Sequence, residues 1–208
     1  MKTFSTVEQN TLKEIILSRR DVRGHHFSKT PLERAIVEEI LTCAIHAPSV
    51  GFSQPWRFLM IENDATKERI YKEFVKQNAK AQALFKSEAL YSRLKLEGIQ
   101  EAPLNIAVFY KKPEKTILGQ TVQKKMGEYS VVCAIQNLWL SARSHGIGIG
   151  WVSILRPKKV KKILNIDKNY ALVGYLCVGY VSEFLEKPEL ETLGWETKKN
   201  LEDVVQWV

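Results

Sequence analysis

One apolar helix constrains the fold of this chain more than any other feature. The stretch VVCAIQNLWL (131–140) lies within a segment predicted to be a single helix over residues 126–145, and Gly146 is a typical helix-ending glycine. A helix that is apolar almost all round is buried on all sides. Because 208 residues form only one sizeable core, the stretch predicts contact with a second subunit as well as burial.

Helical and strand patterns alternate along the rest of the chain, without a linker, repeat or low-complexity segment. Helices are predicted over residues 6–18 and 64–86. A further helix is predicted to begin at the capping-box pattern Thr30-Pro31-Leu32-Glu33 and to run to about residue 47. Strands are predicted over residues 57–63, 104–110, 146–155 (after a glycine-rich turn) and 171–181. The pattern favours one α+β or α/β domain over residues 1–208. A charged tail, 182–208, is expected to dock through Trp195, Val204, Val205 and Trp207.

Composition and charge exclude several classes of protein. Hydrophobic residues make up 45% and charged residues 26%, as in ordinary globular proteins. The apolar run LNIAVFY is too short to cross a bilayer, and MKTFSTVEQN has no apolar signal core, so we expect a cytoplasmic protein with no membrane contact. The net charge of +8 is spread over separate short clusters without interleaved aromatic residues. We therefore expect no nucleic-acid partner.

The cysteines and histidines predict no metal centre. Each of the three cysteines, Cys43, Cys133 and Cys177, lies in an apolar context and is expected to be a buried free thiol. No pair of cysteines or histidines has metal-ligand spacing. The adjacent His25 and His26 are interpreted as surface or loop residues.

Four segments carry groups suited to chemistry. In SRRDVRG (18–24), three arginines surround Asp21, which indicates either a bidentate phosphate site or a solvated Arg–Asp pair at a helix end. The loop HAPSVGFSQPW (46–56) suits the edge of a planar heterocycle, or simply connects a helix to a strand. GIGIGWVS (146–153) lacks the dinucleotide pattern GxGxxG. Its glycines would let the backbone approach a flat group or pack closely. LKLEGIQEAPLN (94–105) leads into a central strand.

Together these segments resemble the nitroreductase-like flavoprotein superfamily, and most closely the 5,6-dimethylbenzimidazole synthase family, from about residue 15 to 205. The double arginine, QPW and the apolar helix are shared with general nitroreductases, whereas Asp21, HAPSVGF and GWVS indicate the narrower family. The resemblance implies an α+β fold with a central, mostly antiparallel sheet flanked by helices. It also implies an intertwined homodimer with two flavin mononucleotide (FMN) sites at the subunit interface.

The resemblance further implies a reaction in which reduced FMN is the substrate. Dioxygen reacts with it, the ring fragments to 5,6-dimethylbenzimidazole, and erythrose 4-phosphate is the co-product. Asp21 would be the base at the ribityl hydroxyls and Ser153 its partner. An external flavin reductase would supply reduced FMN. The FMN contacts implied are Arg19, Arg20, Asp21, Val22, Arg23, Pro48, Ser49, Gln54, Pro55, Lys95, Leu104, Trp151, Val152 and Ser153, and residues 80–97 would form a lid.

Two alternatives stay open at this point. The chain could be an NAD(P)H-dependent nitroreductase that keeps FMN as a permanent cofactor, with Asp21 acting only as a salt-bridge partner. It could also bind flavin without chemistry, for storage or sensing. The first would cycle its flavin and the second would leave it unchanged in air.

Overall fold

The centre of the protein is a four-stranded antiparallel sheet, as the sequence predicts. The computed structural model describes residues 2–85 and 88–208. The strands are β1 (Trp56–Ile61), β2 (Leu104–Lys111), β3 (Ile147–Trp151) and β4 (Tyr170–Tyr180), in the order β1-β2-β4-β3. All three pairings are antiparallel, so β1 and β3 form the two edges of the sheet.

Helices cover both faces of this sheet, which confirms the α+β class. Those in the described residues are α1 (Thr6–Ser18), α2 (Arg34–Ile45), α3 (Asp64–Gln82), α4 (Glu88–Arg93), α5 (Met126–Ser144), α6 (Pro157–Ile163) and α7 (Glu189–Thr192). Two short 3-10 helices, Gly24–His26 and Val50–Phe52, lie in the connections. Strand β2 alternates between the two faces, with Ile106 and Val108 in the core under α2 and α5, and Ala107 and Phe109 in the core under α3 and α6.

The predicted start of the second helix is wrong. Helix α2 begins at Arg34, not near Thr30, and Glu33 precedes it without a side-chain cap. The reason is local, because the Thr30 hydroxyl pairs with Ser28 Oγ at 2.8 Å instead of capping the helix. The helix predicted over residues 64–86 ends at Gln82, and residue 86 lies outside the described residues.

The long helix α5 is buried on one side only, so the predicted burial on all sides is wrong for a single chain. Its other side exposes Tyr129 (52%) and Val132 (41%) together with Cys133. Helix α1 packs beside α5 and has no buried residue, although Leu12 and Ile16 are apolar. The two helices therefore present a shared apolar surface to solvent in one chain.

The expectation of three buried thiols holds only for Cys177. Cys43 and Cys133 are exposed because each lies on the outer side of its helix. Burial raises the pKa of the Cys177 thiol, which keeps it protonated.

The charged tail docks on its own chain through Trp195, and its first residues are also held there by hydrogen bonds from Arg20 and Ser182. The Trp195 ring packs edge-on against Phe85 and Tyr91, with centroids 5.3 and 6.2 Å away, next to α4 of the predicted lid. By contrast, Val204 and Trp207 are 62% and 94% exposed. Within the described ranges, no helix has the length and apolarity needed to cross a membrane.

Candidate active site

The arginine segment extends the sheet beyond β3. Asp21 forms a parallel bridge with Ile149, and the Val22 N–H donates to the Ile149 carbonyl at 2.9 Å. A side chain at Gly150 would overlap the Val22 carbonyl oxygen, and one at Gly148 would lie 2.8 Å from a Val22 methyl group. Close packing of this segment, which was the alternative to a flat ligand, thus explains Gly148 and Gly150. Gly146 differs, because nothing lies near its Cβ position and its φ angle is 71°.

The three arginines of this segment have different partners, and Arg20 is occupied by main-chain carbonyls. Its Nε donates to Leu185 O at 2.8 Å, its Nη1 to Leu17 O and Arg19 O at 2.8 Å each, and its Nη2 to Glu186 O. Four of the five guanidinium donors are thereby used. Arg20 holds the start of the tail against the end of α1, and its contact with FMN stays a prediction.

The positive charge of Arg23 is neutralised by a carboxylate, whereas that of Arg19 is not. Arg23 is only 9% exposed and forms an ion pair with Asp21, while its Nη1 lies 3.5 Å from Leu96 O. Arg19 lies over the Trp139 ring, 4.7 Å from its centroid. Among the described residues, the Arg19 guanidinium has no hydrogen bond and no ion pair. Of the three arginines in this segment, Arg19 is therefore the one whose guanidinium can bind an incoming anion.

Both oxygens of the Asp21 carboxylate are held in place. Oδ1 accepts the Trp151 N–H at 2.9 Å, and Oδ2 faces Arg23. The side chain is 35% exposed, yet desolvation of the carboxylate raises its pKa more than Arg23 and the Trp151 N–H lower it. A fixed carboxylate with increased proton affinity has the properties of a general base.

The last residue of β3 and the two residues after it are three further predicted contacts, Trp151, Val152 and Ser153. Val152 is buried and its N–H donates to Tyr175 O at 2.8 Å. Ser153, two residues beyond the N–H that binds Asp21, is exposed. In the described part of the chain its hydroxyl makes no hydrogen bond. Of these residues, Trp151 binds Asp21 directly through its N–H, and contacts of Val152 and Ser153 with FMN stay predictions.

Lys95 forms ion pairs with two carboxylates, and these pairs were not predicted from the sequence. Its Nζ is 2.5 Å from Glu97 Oε1 and 2.9 Å from Glu101 Oε1. Burial lowers the pKa of Lys95, but these two partners outweigh it and raise the pKa overall. The Glu97 carbonyl accepts the Gly24 N–H at 2.9 Å, which ties this cluster to the arginine segment. The proximity of Lys95 to both acids in sequence was the available signal. A Lys95 contact with FMN stays a prediction.

The loop HAPSVGFSQPW has an unusual backbone. Gly51, Phe52 and Gln54 have positive φ angles of 55°, 50° and 46°, although two of them carry side chains. The Gln54 N–H donates to Ser49 Oγ at 3.1 Å, which stabilises the turn, and Phe52 is 82% exposed. Such backbone strain is concentrated at functional sites. In this loop Pro48 is exposed and Pro55 is buried.

One chain does not bring this loop to the arginine segment. The loop leads into β1 at one edge of the sheet, and the arginine segment lies beyond β3 at the other. With strands about 4.8 Å apart, four spacings separate them by roughly 19 Å. No hydrogen bond between described residues connects the two. Leu104, also a predicted contact, is 5% exposed in the core and lines a separate cavity of about 710 Å³ beside α2.

Comparisons with known proteins place the chain in a family. The nitroreductase family model matches residues 16–180. A 5,6-dimethylbenzimidazole synthase from Rhodospirillum rubrum is 46% identical over 185 residues, which cover 87% of each chain.

Two solved structures share the fold. Iodotyrosine deiodinase bound to FMN and 3-iodo-L-tyrosine has a TM-score of 0.76 at 23% identity and covers 95% of this chain and 98% of its own. A BluB-like flavoprotein from Clostridium difficile has a TM-score of 0.72 at 21% identity, with the same coverage. The antiparallel sheet, the arginine segment beside β3 and these similarities lead to one conclusion. The chain belongs to the nitroreductase family and, within it, to the 5,6-dimethylbenzimidazole synthase family.

Proposed function

We propose that this protein is an oxidoreductase that fragments reduced FMN with dioxygen to give 5,6-dimethylbenzimidazole and erythrose 4-phosphate. The observation that carries the proposal is the Asp21 carboxylate, which is fixed by the Trp151 N–H and by Arg23 and has a raised pKa. A permanent flavin cofactor requires no such base. The relative from Rhodospirillum rubrum bears the name of this enzyme and supports the same reaction.

The arrangement of cations fits the phosphate of FMN. Arg19 offers a guanidinium that has no polar partner among the described residues, Arg20 follows it directly, and Arg23 lies four positions after Arg19. A phosphate monoester carries up to two negative charges and accepts bidentate hydrogen bonds from arginine. We assign direct phosphate binding to Arg19. Arg23 positions Asp21, and Arg20 anchors the segment to the tail.

Asp21 and Ser153 act on protons in this proposal. Reduced FMN supplies the electrons that dioxygen accepts, and breaking its ribityl chain requires removal of hydroxyl protons. Asp21 takes a proton on Oδ2, the carboxylate oxygen paired with Arg23, while the Trp151 N–H keeps Oδ1 in place. The Ser153 hydroxyl orients the same ribityl group or relays the proton to solvent.

A homodimer would complete the site. Helices α1 and α5 expose several large apolar side chains, among them Leu12, Ile16 and Val132, and exposed apolar patches mark interaction sites. Association of two copies through it would bring the loop of one subunit, with Pro48, Ser49, Gln54 and Pro55, to the arginine segment of the other. Reduced FMN would come from an external flavin reductase. One domain over residues 1–208 and a cytoplasmic location stay predictions.

The test is product analysis by mass spectrometry after reduced FMN and the purified protein are mixed in air. The expected result is 5,6-dimethylbenzimidazole with loss of flavin in equal amount. Recovery of intact FMN together with NADPH-dependent reduction of nitroaromatic compounds would assign the chain to the nitroreductase alternative. Intact FMN without either activity would leave a flavin-binding protein.

A further inference from the structure

We propose that His25, His26 and Glu189 form a binding site for a divalent transition metal ion of the Zn²⁺ type. The two histidines belong to the 3-10 helix that follows the arginine segment, and Glu189 is the first residue of α7 in the tail. One ligand atom from each residue lies within 4.8 Å of the other two. From sequence the two histidines were interpreted as surface or loop residues, because no pair of histidines or cysteines has metal-ligand spacing and Glu189 is far away along the chain.

The spacing of the ligand atoms is close to that of a tetrahedral metal site. The distance from His25 Nε2 to Glu189 Oε1 is 3.5 Å. Zinc binds imidazole nitrogen and carboxylate oxygen at about 2.0–2.2 Å, so two ligands at a tetrahedral angle lie roughly 3.4 Å apart. The rings of His25 and His26 are already adjacent, with centroids 4.0 Å apart, so small side-chain rotations bring both nitrogens onto one ion.

The surroundings suit a cation with one open coordination position. The three residues line a surface depression of about 460 Å³ whose other charged residues are Glu186 and Lys187. Glu183 Oε1 lies 3.9 Å from His26 Nδ1 but outside the cluster of three, so water would occupy the fourth coordination position. Two imidazoles and a carboxylate select borderline metals such as Zn²⁺, Co²⁺ or Ni²⁺ over Mg²⁺ and Ca²⁺, which prefer oxygen ligands.

A bound ion would join the tail to the segment that carries Asp21. Hydrogen bonds already hold the two together, since the Ser182 N–H donates to the His26 carbonyl at 3.0 Å and Arg20 binds the carbonyls of Leu185 and Glu186. The metal adds a link between side chains further along the tail, at α7. Its expected effect is slower proteolysis of the tail beyond Ser182 when metal is present.

The experiment titrates the metal-free full-length protein with Co²⁺ and follows its visible absorption, with Zn²⁺ added as competitor. We expect one equivalent to bind, with bands typical of nitrogen and oxygen ligands. His25→Gln and Glu189→Gln should each weaken binding by at least about tenfold, because each removes one ligand. Cobalt held by the exposed Cys43 or Cys133 would instead show a thiolate charge-transfer band.

The matched control is His145→Gln. His145 Nε2 also lies 3.5 Å from a carboxylate oxygen, of Glu39, but within the described residues this pair belongs to no group of three possible ligands, so binding should be unchanged. Circular dichroism and FMN binding check that each variant is folded. Absence of saturable Co²⁺ binding, a thiolate band alone, or equal binding by the wild type and the His25 and Glu189 variants would overturn the proposal.

Discussion

Replacing Asp21 by asparagine separates a catalytic carboxylate from a structural one. Asparagine has the same shape, and its amide oxygen can still accept the Trp151 N–H. Its NH₂ group, however, would face Arg23, whose guanidinium is nearly buried and would lose its counter-charge. A hydrogen bond to a charged group contributes about 1.5–3 kcal/mol, so the free energy of unfolding should fall by about that amount.

The same substitution should decrease the rate of product formation much more than it decreases stability. A general base typically contributes about 10²–10⁴-fold to the rate, and asparagine cannot accept the proton. FMN binding should be unchanged or tighter, because a negative charge near the phosphate is removed. The assay measures 5,6-dimethylbenzimidazole formed from reduced FMN in air, per folded enzyme, together with the dissociation constant for FMN.

Glu73→Gln provides the matched control. Glu73 is a buried carboxylate that is also paired with an arginine, and Arg156 donates to it at 2.6 and 3.1 Å between α3 and α6. This variant should lose stability of a similar order but form product at the wild-type rate. If Asp21→Asn also forms product at the wild-type rate, the carboxylate is structural and the mechanism is wrong.

The remaining predictions concern pH, FMN recognition, the second catalytic residue and assembly. The wild-type rate should fall as the pH decreases through the pKa of Asp21, which lies above the ordinary value for aspartate, because protonation inactivates the base. Asp21→Asn should lack this pH dependence. Arg19→Gln should weaken FMN binding about 10- to 150-fold in a fluorescence titration and leave the affinity for riboflavin unchanged. Arg20→Gln should mainly lower the melting temperature. Equal wild-type affinities for FMN and riboflavin would contradict the phosphate role. Ser153→Ala should slow turnover less than Asp21→Asn, since water can replace a hydroxyl. Light scattering at micromolar concentration should give a dimer for the wild type and a smaller mass for Val132→Glu; a monomeric wild type would contradict the interface.

The local segments could be predicted well because their signals are local. Helix α1 has the predicted bounds, and β2 differs from its prediction by one residue. The start of α2 could not be predicted, because the Thr30 hydroxyl had a second partner, Ser28, that competed with the cap. The sequence shows which hydrogen-bond partners a side chain can have, whereas the folded structure determines which of them it binds.

The sequence by itself determined the fold class, the family and the set of polar residues from which a flavin site can be built. Only the tertiary structure determined which partner each of the three arginines binds. Arg20 binds carbonyls of a tail more than 160 residues away, Arg23 binds Asp21, and Arg19 alone lies over Trp139 without a polar partner in the described residues. The tertiary structure also brought Glu189 to His25 and placed the two halves of the predicted flavin site at opposite edges of the sheet. The physical reason is that charge and hydrogen bonding act over a few ångströms in space, and sequence spacing does not fix distances between segments that meet only on folding.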